Sequence, residues 1–184
     1  PCTDLVLVAE QGLGDTLQFC RLIPDLRKQG LRTQLFCQEA LAPLLRESST
    51  VGDISLVIGR QGPGVRWCPL MSLPHRLGLN ALNIPLAEGY ITPCPERVAL
   101  WSKRLQRTPG KRLIALHWQG NPKFERKLYS KGRSMPFEAW RGLADVPNLE
   151  FLSIQKGAGQ EQCRTDAGLN FVAGQDAFNA SFDF

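Results

Sequence analysis

The sequence predicts an α/β protein with one complete Rossmann-like parallel-sheet domain and the truncated start of a second. The 184 residues are 43% hydrophobic and 21% charged, which is close to the average of globular domains. A continuous apolar run, typical of a strand buried on both faces, occurs at residues 5–9 and again at 113–117. A segment rich in helix and strand breakers, residues 107–111, separates the two runs and is the predicted linker.

The first half of the chain alternates strand and helix patterns. The predicted strands are residues 5–9, 31–37 and 54–58, and the predicted helices are one that follows the first turn and ends at Gly30 and one over 39–47. Pro24 lacks a backbone donor and is expected to kink the first of these helices. Short connections between alternating strands and helices imply right-handed βαβ units and a parallel sheet.

The second half repeats the pattern after a region, residues 59–92, in which no clear period is visible. The predicted elements are helix 95–105, strand 113–117, a polar loop to residue 133, helix 137–143, strand 149–154 and a candidate third strand at 169–172. The predicted domains are therefore 1–108 and 109–184. Because the chain begins with Pro and stops without a closing element, we expect it to be a piece of a longer protein.

Composition excludes several classes of function. The net charge of +5 arises from 22 basic and 17 acidic residues spread over both halves, too dilute for a nucleic-acid partner. No run of 18 apolar residues predicts a membrane span. The six cysteines form no C-x-x-C motif and no cluster with histidine, so we expect no metal site, reduced thiols and a cytoplasmic location.

The turn after the first strand lies where α/β folds place ligand sites. As a dinucleotide-binding fingerprint, Gly12 and Gly14 would need a third glycine at position 17, which is Leu17. Glu39, near the end of the second predicted strand, would then be the acidic residue that contacts the ribose. A Rossmann-type nucleotide-binding protein therefore stays open as an alternative, but the fingerprint is incomplete.

Asp15, directly after these glycines, has two compatible interpretations. As a structural residue it would be the N-cap of the first helix, with Gln18 completing a capping box. As a catalytic residue its carboxylate would take the proton from an attacking hydroxyl, while Gly12 and Gly14 let a sugar approach the backbone.

The second polar loop, residues 118–134, is long enough to suggest a function. It carries five basic residues and one acidic residue between Lys123 and Arg133, and Ser134 is the predicted N-cap of the helix that follows. A helix start beside cations favours a diphosphate, although a solvated basic loop has the same composition. Trp118 is the tryptophan that we expect to stack on a base or sugar.

Five motifs occur in an order that resembles the glycosyltransferase region following tetratricopeptide repeats in many bacterial proteins. They are residues 10–19, 68–74, 117–122, 133–134 and 152–157. That region is similar to the ADP-heptose:lipopolysaccharide heptosyltransferases, glycosyltransferase family 9, which have the two-domain GT-B fold. The resemblance extends from residue 5 to residue 171.

The resemblance implies transfer of a sugar from a nucleotide-sugar donor to an acceptor hydroxyl, with no metal and no further cofactor. Asp15 would be the catalytic base on the acceptor-side domain. The second domain would bind the nucleotide sugar through its motif residues Gln119, Asn121 and Ser134 and through a cation on the diphosphate. That cation is one of Lys127, Lys131 and Arg133, and the choice among them stays open.

The family's later motif, an Asp followed by His, is not contained in the 184 residues, so we expect the fragment alone to be inactive. A repeat domain is expected on the N-terminal side in the parent protein. Besides the nucleotide-binding alternative, a non-catalytic interaction module of a repeat protein would keep the same fold without transfer.

Overall fold

The computed structural model describes residues 4–48, 51–58, 62–85, 89–125, 132–165 and 168–172. The chain divides into two compact units, Pro1–Pro95 and Glu96–Phe184. This boundary falls after the first residue of the helix Pro95–Arg104, whereas the sequence places the domain boundary after that helix, at residue 108.

The first unit contains a parallel sheet, as the sequence predicts, but with four strands rather than three. Its strands are β1 (Asp4–Val8), β2 (Arg32–Phe36), β3 (Asp53–Ser55) and β4 (Arg66–Pro69). The strand order is β3-β2-β1-β4: β2 and β3 lie on one side of β1, and β4 lies on the other side. This is the order of a Rossmann-like half, with β1 at the point where the direction reverses.

Helices follow β1, β2 and β4. They are α1 (Leu13–Cys20), α2 (Ile23–Lys28), α3 (Ala42–Ser48) and α4 (Leu73–Arg76), and short 3₁₀ turns precede α3 and α4 at Glu39–Leu41 and Leu70–Ser72. The predicted single helix ending at Gly30 is in fact two helices. Pro24 occupies the first turn of α2, where a missing N–H has no partner to lose, so the proline starts a helix rather than kinking one.

The core of the first unit lies between the sheet and these helices. Leu7 and Leu35, paired on adjacent strands, have no exposed surface. Cys20 and Cys37 are buried in the same cluster. Burial raises the pKa of Cys20 to about 12, so this free thiol stays protonated.

Strand β4 falls in the region where the sequence shows no period. It is short, ends at Pro69 and lies at an edge of the described sheet, where proline costs no ladder hydrogen bond. Trp67 on this strand is 70% exposed, so the alternation expected of a half-buried strand is missing. An apolar pattern could not have located a strand with so little of its surface buried.

The second unit has a two-stranded parallel sheet. Its elements are α5 (Pro95–Arg104), β5 (Arg112–Leu116), α6 (Pro122–Glu125), a 3₁₀ helix (Phe137–Leu143), β6 (Leu149–Ser153) and α7 (Gln160–Thr165). The candidate third strand is reduced to a single parallel bridge between Phe151 and Phe171. Within the described ranges β5 and β6 form a sheet separate from that of the first unit.

Aromatic side chains form the core of the second unit. Trp118 is 2% exposed, and its ring centroid lies 4.6 Å from that of Phe137. Its indole nitrogen donates to the Gly159 carbonyl oxygen at 3.2 Å. The expectation that Trp118 stacks on a ligand is therefore wrong: the side chain turns inward because Phe137 and Gly159 offer both apolar contact and a hydrogen-bond acceptor.

The predicted linker, residues 107–111, is bound to β6. The buried Glu150 carboxylate accepts the backbone N–H of Thr108 at 2.9 Å and Arg107 Nε at 3.3 Å. The Thr108 hydrogen bond is the main cause that holds the pKa of Glu150 below its ordinary value, while burial opposes it. These bonds attach the linker segment to the second unit.

No helix in the described ranges combines the length and the apolar character needed to cross a lipid bilayer.

Candidate functional site at the carboxyl end of strand β1

The loop after β1 lies at the reversal point of the first sheet. Strands β2 and β4 flank β1, and all three run parallel, so their carboxyl ends open at one edge. Open α/β sheets bind ligands outside this edge, where neighbouring strands send their connections to opposite sides. The residues from Glu10 to Asp15 therefore occupy the favoured position for a ligand site in this unit.

Asp15 is the third residue of α1 rather than its N-cap. Gly12 is the N-cap, and its N–H donates to Asp15 Oδ2 at 3.0 Å. Because glycine has no side chain, only this half of a capping box can form, and Gln18, which is exposed, is not part of it. The half-buried carboxylate also lies at the positive end of α1, which stabilises its charge. Asp15 thus caps the start of α1, as the sequence predicts, but it does so from the third residue of the helix and not from the N-cap position.

The second oxygen of this carboxylate is available. Among the described residues, Asp15 Oδ1 has no hydrogen-bond partner, whereas Oδ2 is held by Gly12. A carboxylate fixed through one oxygen and open at the other can accept a proton at a defined position.

The two glycines differ in the space that they leave beside this carboxylate. A Cβ added at Gly12 would lie 3.3 Å from Asp15 Oδ2, which is a tight contact, whereas a Cβ added at Gly14 would meet nothing within 4 Å. Gly12 itself has an ordinary φ of −71°. Neither glycine is thus required by backbone conformation, although a glycine within a helix costs about 1 kcal/mol relative to alanine. The open surface at Gly14 is where a ligand could approach the backbone closely.

Two side chains that the sequence does not single out as site residues hold this loop from both sides. Glu10 Oε2 accepts the Leu70 N–H at 3.0 Å, on the β4 side. Gln38, on the β2 side, donates from Nε2 to the Gln11 carbonyl oxygen at 2.7 Å and accepts the Thr16 hydroxyl at 2.9 Å. The loop is fixed to both neighbours of β1, which is the preorganisation that a catalytic group needs.

In the second unit, Ser134 is not a helix N-cap. Its hydroxyl accepts the Gly120 N–H at 2.9 Å and donates to the Glu125 carboxylate. The N-cap of the following helix is Pro136, which has no side-chain donor or acceptor, and that helix is 3₁₀. The predicted N-cap role of Ser134 is therefore wrong, since the serine holds the base of the polar loop together instead, whereas the diphosphate site at this loop stays a prediction.

The other residues predicted to bind the nucleotide sugar differ in their exposure and in the hydrogen bonds that their side chains already make. Gln119 accepts Gln162 Nε2 on its side-chain oxygen at 3.2 Å, so its amide is part of an internal network. Asn121 is exposed, and its Oδ1 accepts the Lys123 N–H at 3.0 Å at the start of α6. Arg133 is exposed. Lys127 and Lys131 lie outside the described residues.

Gln155 joins the ends of β5 and β6, a role that the sequence does not reveal. Its buried side-chain oxygen accepts the N–H groups of Trp118 and Gln119 at 3.1 and 2.9 Å. Its amide nitrogen donates to the carbonyl oxygens of Gln119 and Ala158 at 2.9 and 2.8 Å. The loops that follow the two strands are consequently held together at the carboxyl edge of the second sheet.

No group of three or more His, Cys, Asp or Glu side chains that could hold a metal ion occurs in the part of the chain that the structure describes.

Comparisons with known proteins give one relative. The chain is 25% identical over 178 residues to protein FlbA of Caulobacter vibrioides, and the match covers 86% of this chain and 29% of FlbA. The chain thus spans less than a third of that protein. No family model matches, and no solved structure matches.

Proposed function

We propose that this chain is the glycosyltransferase region of a larger bacterial protein. It transfers a sugar from a nucleotide sugar to an acceptor hydroxyl without a metal ion, on a GT-B fold like that of the ADP-heptose:lipopolysaccharide heptosyltransferases. The observation that supports this most is the environment of Asp15: a carboxylate held through Oδ2, beside the open surface at Gly14, at the reversal point of a parallel sheet.

In this proposal Asp15 is the general base. The acceptor hydroxyl donates its proton to Oδ1 while its oxygen forms a bond to the anomeric carbon of the donor sugar. The bond between that carbon and the diphosphate breaks, and the nucleoside diphosphate leaves with both electrons of the bond. A positioned base contributes about 10²–10⁴-fold to such a step.

The second unit supplies positive charge to the departing diphosphate. Arg133 is the exposed cation that we assign to this role, with Lys127 and Lys131 as the other candidates. An Arg side chain can bind phosphate oxygens with two parallel N–H bonds, which gives direction as well as charge. Because Ser134 and Gln119 are committed to internal bonds, we assign them to the support of the loop rather than to direct binding.

We place the activity in the parent protein rather than in these 184 residues. The chain corresponds to 29% of FlbA, and the resemblance described above adds tetratricopeptide repeats before it and a further nucleotide-binding motif after it. The buried Cys20 and Cys37 are free thiols, which supports a cytoplasmic location.

A panel of nucleotide sugars incubated with the full-length protein tests this function. We expect release of nucleoside diphosphate from one member of the panel, and no measurable affinity for NAD. Binding of NAD without turnover of any nucleotide sugar would favour the nucleotide-binding alternative. Failure of both ligands would favour an interaction module.

A further inference from the structure

Gln38 joins the two sides of the turn that contains Asp15. It comes two residues after β2 and is half-buried. Its amide nitrogen contacts the Gln11 carbonyl oxygen at 2.7 Å, and its amide oxygen contacts Thr16 Oγ1 at 2.9 Å. Gln11 lies four residues before Asp15 and Thr16 lies directly after it, so one side chain spans the whole turn.

The chemistry of this contact requires a carboxamide. One end must donate to a carbonyl and the other must accept from a hydroxyl, which a carboxylate or an ammonium group cannot do together. Thr16 is 1% exposed, so its hydroxyl needs a partner inside the protein. That hydroxyl lies closer to Gln38 Oε1 than to the Gly12 carbonyl oxygen, at 2.9 Å against 3.3 Å.

The contact reaches Asp15 through its immediate neighbours. The Gly12 N–H that binds Asp15 Oδ2 belongs to the residue after Gln11. If Gln11 and Thr16 move apart, the geometry of this bond changes, and with it the direction of Oδ1. Glu10 lies before the turn and accepts the Leu70 N–H, so its side chain holds only one end of the turn.

We propose that Gln38 is a positioning residue that fixes the turn from Gln11 to Thr16 and thereby the orientation of the Asp15 carboxylate. This inference rests on the proposed function for its catalytic consequence, but its structural part is independent of any activity. Misplacement of a catalytic group by about 1 Å can cost about 10²-fold in rate, so the effect of losing Gln38 is large compared with an ordinary surface change.

Three variants separate the contributions. Gln38→Leu removes both hydrogen bonds while keeping a side chain of similar size. Gln38→Glu keeps an acceptor for Thr16 and loses the donor to Gln11. Gln29→Leu, at the exposed end of α2, is the matched control.

The first readout is amide hydrogen exchange at Gly12, measured by NMR on this chain. We expect Gln38→Leu to exchange at least about tenfold faster at Gly12, with Gln38→Glu between it and the wild type and the control unchanged. Unchanged exchange at Gly12 in Gln38→Leu would overturn the structural part of the inference.

The second readout is steady-state transfer by the full-length protein. We expect Gln38→Leu to lower kcat about 10²-fold with KM for the nucleotide sugar within about twofold of the wild type. A kcat near that of the wild type, despite faster exchange at Gly12, would overturn the positioning role. If kcat fell and KM rose by the same factor, and the melting temperature also fell, the role of Gln38 would be purely structural and the positioning role would be overturned. If the wild type itself transferred no sugar, the proposed function would fail, whereas the exchange result would still decide whether Gln38 holds the turn.

Discussion

The carboxylate of Glu10 accepts the backbone N–H of Leu70 at 3.0 Å, although the two residues are 60 positions apart in the chain. Glu10 follows β1 and Leu70 begins the 3₁₀ turn after β4, so the bond joins the two connections on either side of the reversal point. Leu70 is 1% exposed, and its N–H needs an acceptor at the start of that turn. Glu10 thus closes one wall of the candidate site.

Replacement of Glu10 tests this bond. Since hydrogen bonds to charged groups contribute about 1.5–3 kcal/mol and Glu10 is partly solvated, Glu10→Ala should lower the free energy of unfolding by about 1 kcal/mol. Glu10→Gln keeps an acceptor oxygen and should lose less. Urea denaturation of this chain measures both, and identical midpoints for the wild type and Glu10→Ala would show that the bond contributes nothing.

Gly14 should show a trade between stability and function. Alanine fits at this helical position without any contact, so Gly14→Ala should raise the free energy of unfolding by about 0.5–1 kcal/mol. The added methyl group would occupy the surface where we place the acceptor, and KM for the acceptor should rise. Gly142→Ala, also in open space, is the control and should leave KM unchanged. A more stable Gly14→Ala with unchanged KM would remove Gly14 from the site.

Glu150 makes the stability of the second unit depend on pH. Its pKa in the folded chain is lowered, chiefly by the Thr108 N–H, from the ordinary value of 4.5. The unfolded chain therefore binds the proton more readily, so this contribution is complete above the unfolded pKa and disappears as the pH falls through the folded pKa. Glu150→Gln should be less stable than the wild type at pH 7, and the difference should shrink below about pH 4.5. Parallel stability profiles from pH 7 to pH 3 would contradict this assignment.

Arg133 is the described cation that we assign to the diphosphate. Arg133→Ala should weaken the affinity of the full-length protein for the nucleoside diphosphate of its donor about tenfold, as expected for one charge-assisted hydrogen bond. Arg112→Ala, at an exposed position on β5, controls for the loss of charge alone. Calorimetric titration measures the affinity of each variant for the nucleoside diphosphate. Equal affinities for Arg133→Ala and the control would exclude Arg133 from the diphosphate site.

The sequence predicts those parts of the fold that rest on local patterns. The apolar runs at residues 5–9 and 113–117 correspond to β1 and β5, two strands of parallel sheets, so the sequence locates both strands. Ala115 on β5 is exposed, so this strand is less buried than its apolar run predicts. The sequence predicts that α1 begins after Asp15, whereas the helix begins after Gly12, because Gly12 and Gly14 have low helix propensity and weaken the pattern of the first turn. The sequence does not predict strand β4, because an exposed edge strand that ends in proline has no apolar pattern.

The features that the sequence does not predict depend on partners far along the chain. Gln38 meets Thr16 across 22 residues, and Trp118 meets Gly159 across 41. Nothing near Trp118 in the sequence distinguishes a core tryptophan from one that stacks on a ligand. Ser134 likewise looks like a helix cap until Glu125 and Gly120 are brought beside it. Such contacts follow from the packing of the sheets rather than from local propensity.

The Asp15→Asn variant of the full-length protein tests the central claim most directly, by turnover measured beside the melting temperature. Asparagine can still accept the Gly12 N–H, so stability should change little, but it cannot take a proton, and transfer should fall about 10²–10⁴-fold. Asp25→Asn, which removes a carboxylate from an exposed ion pair with Lys28 on α2, should leave transfer unchanged. A stable Asp15→Asn protein that transfers sugar at a rate near that of the wild type would leave Asp15 with a capping role alone.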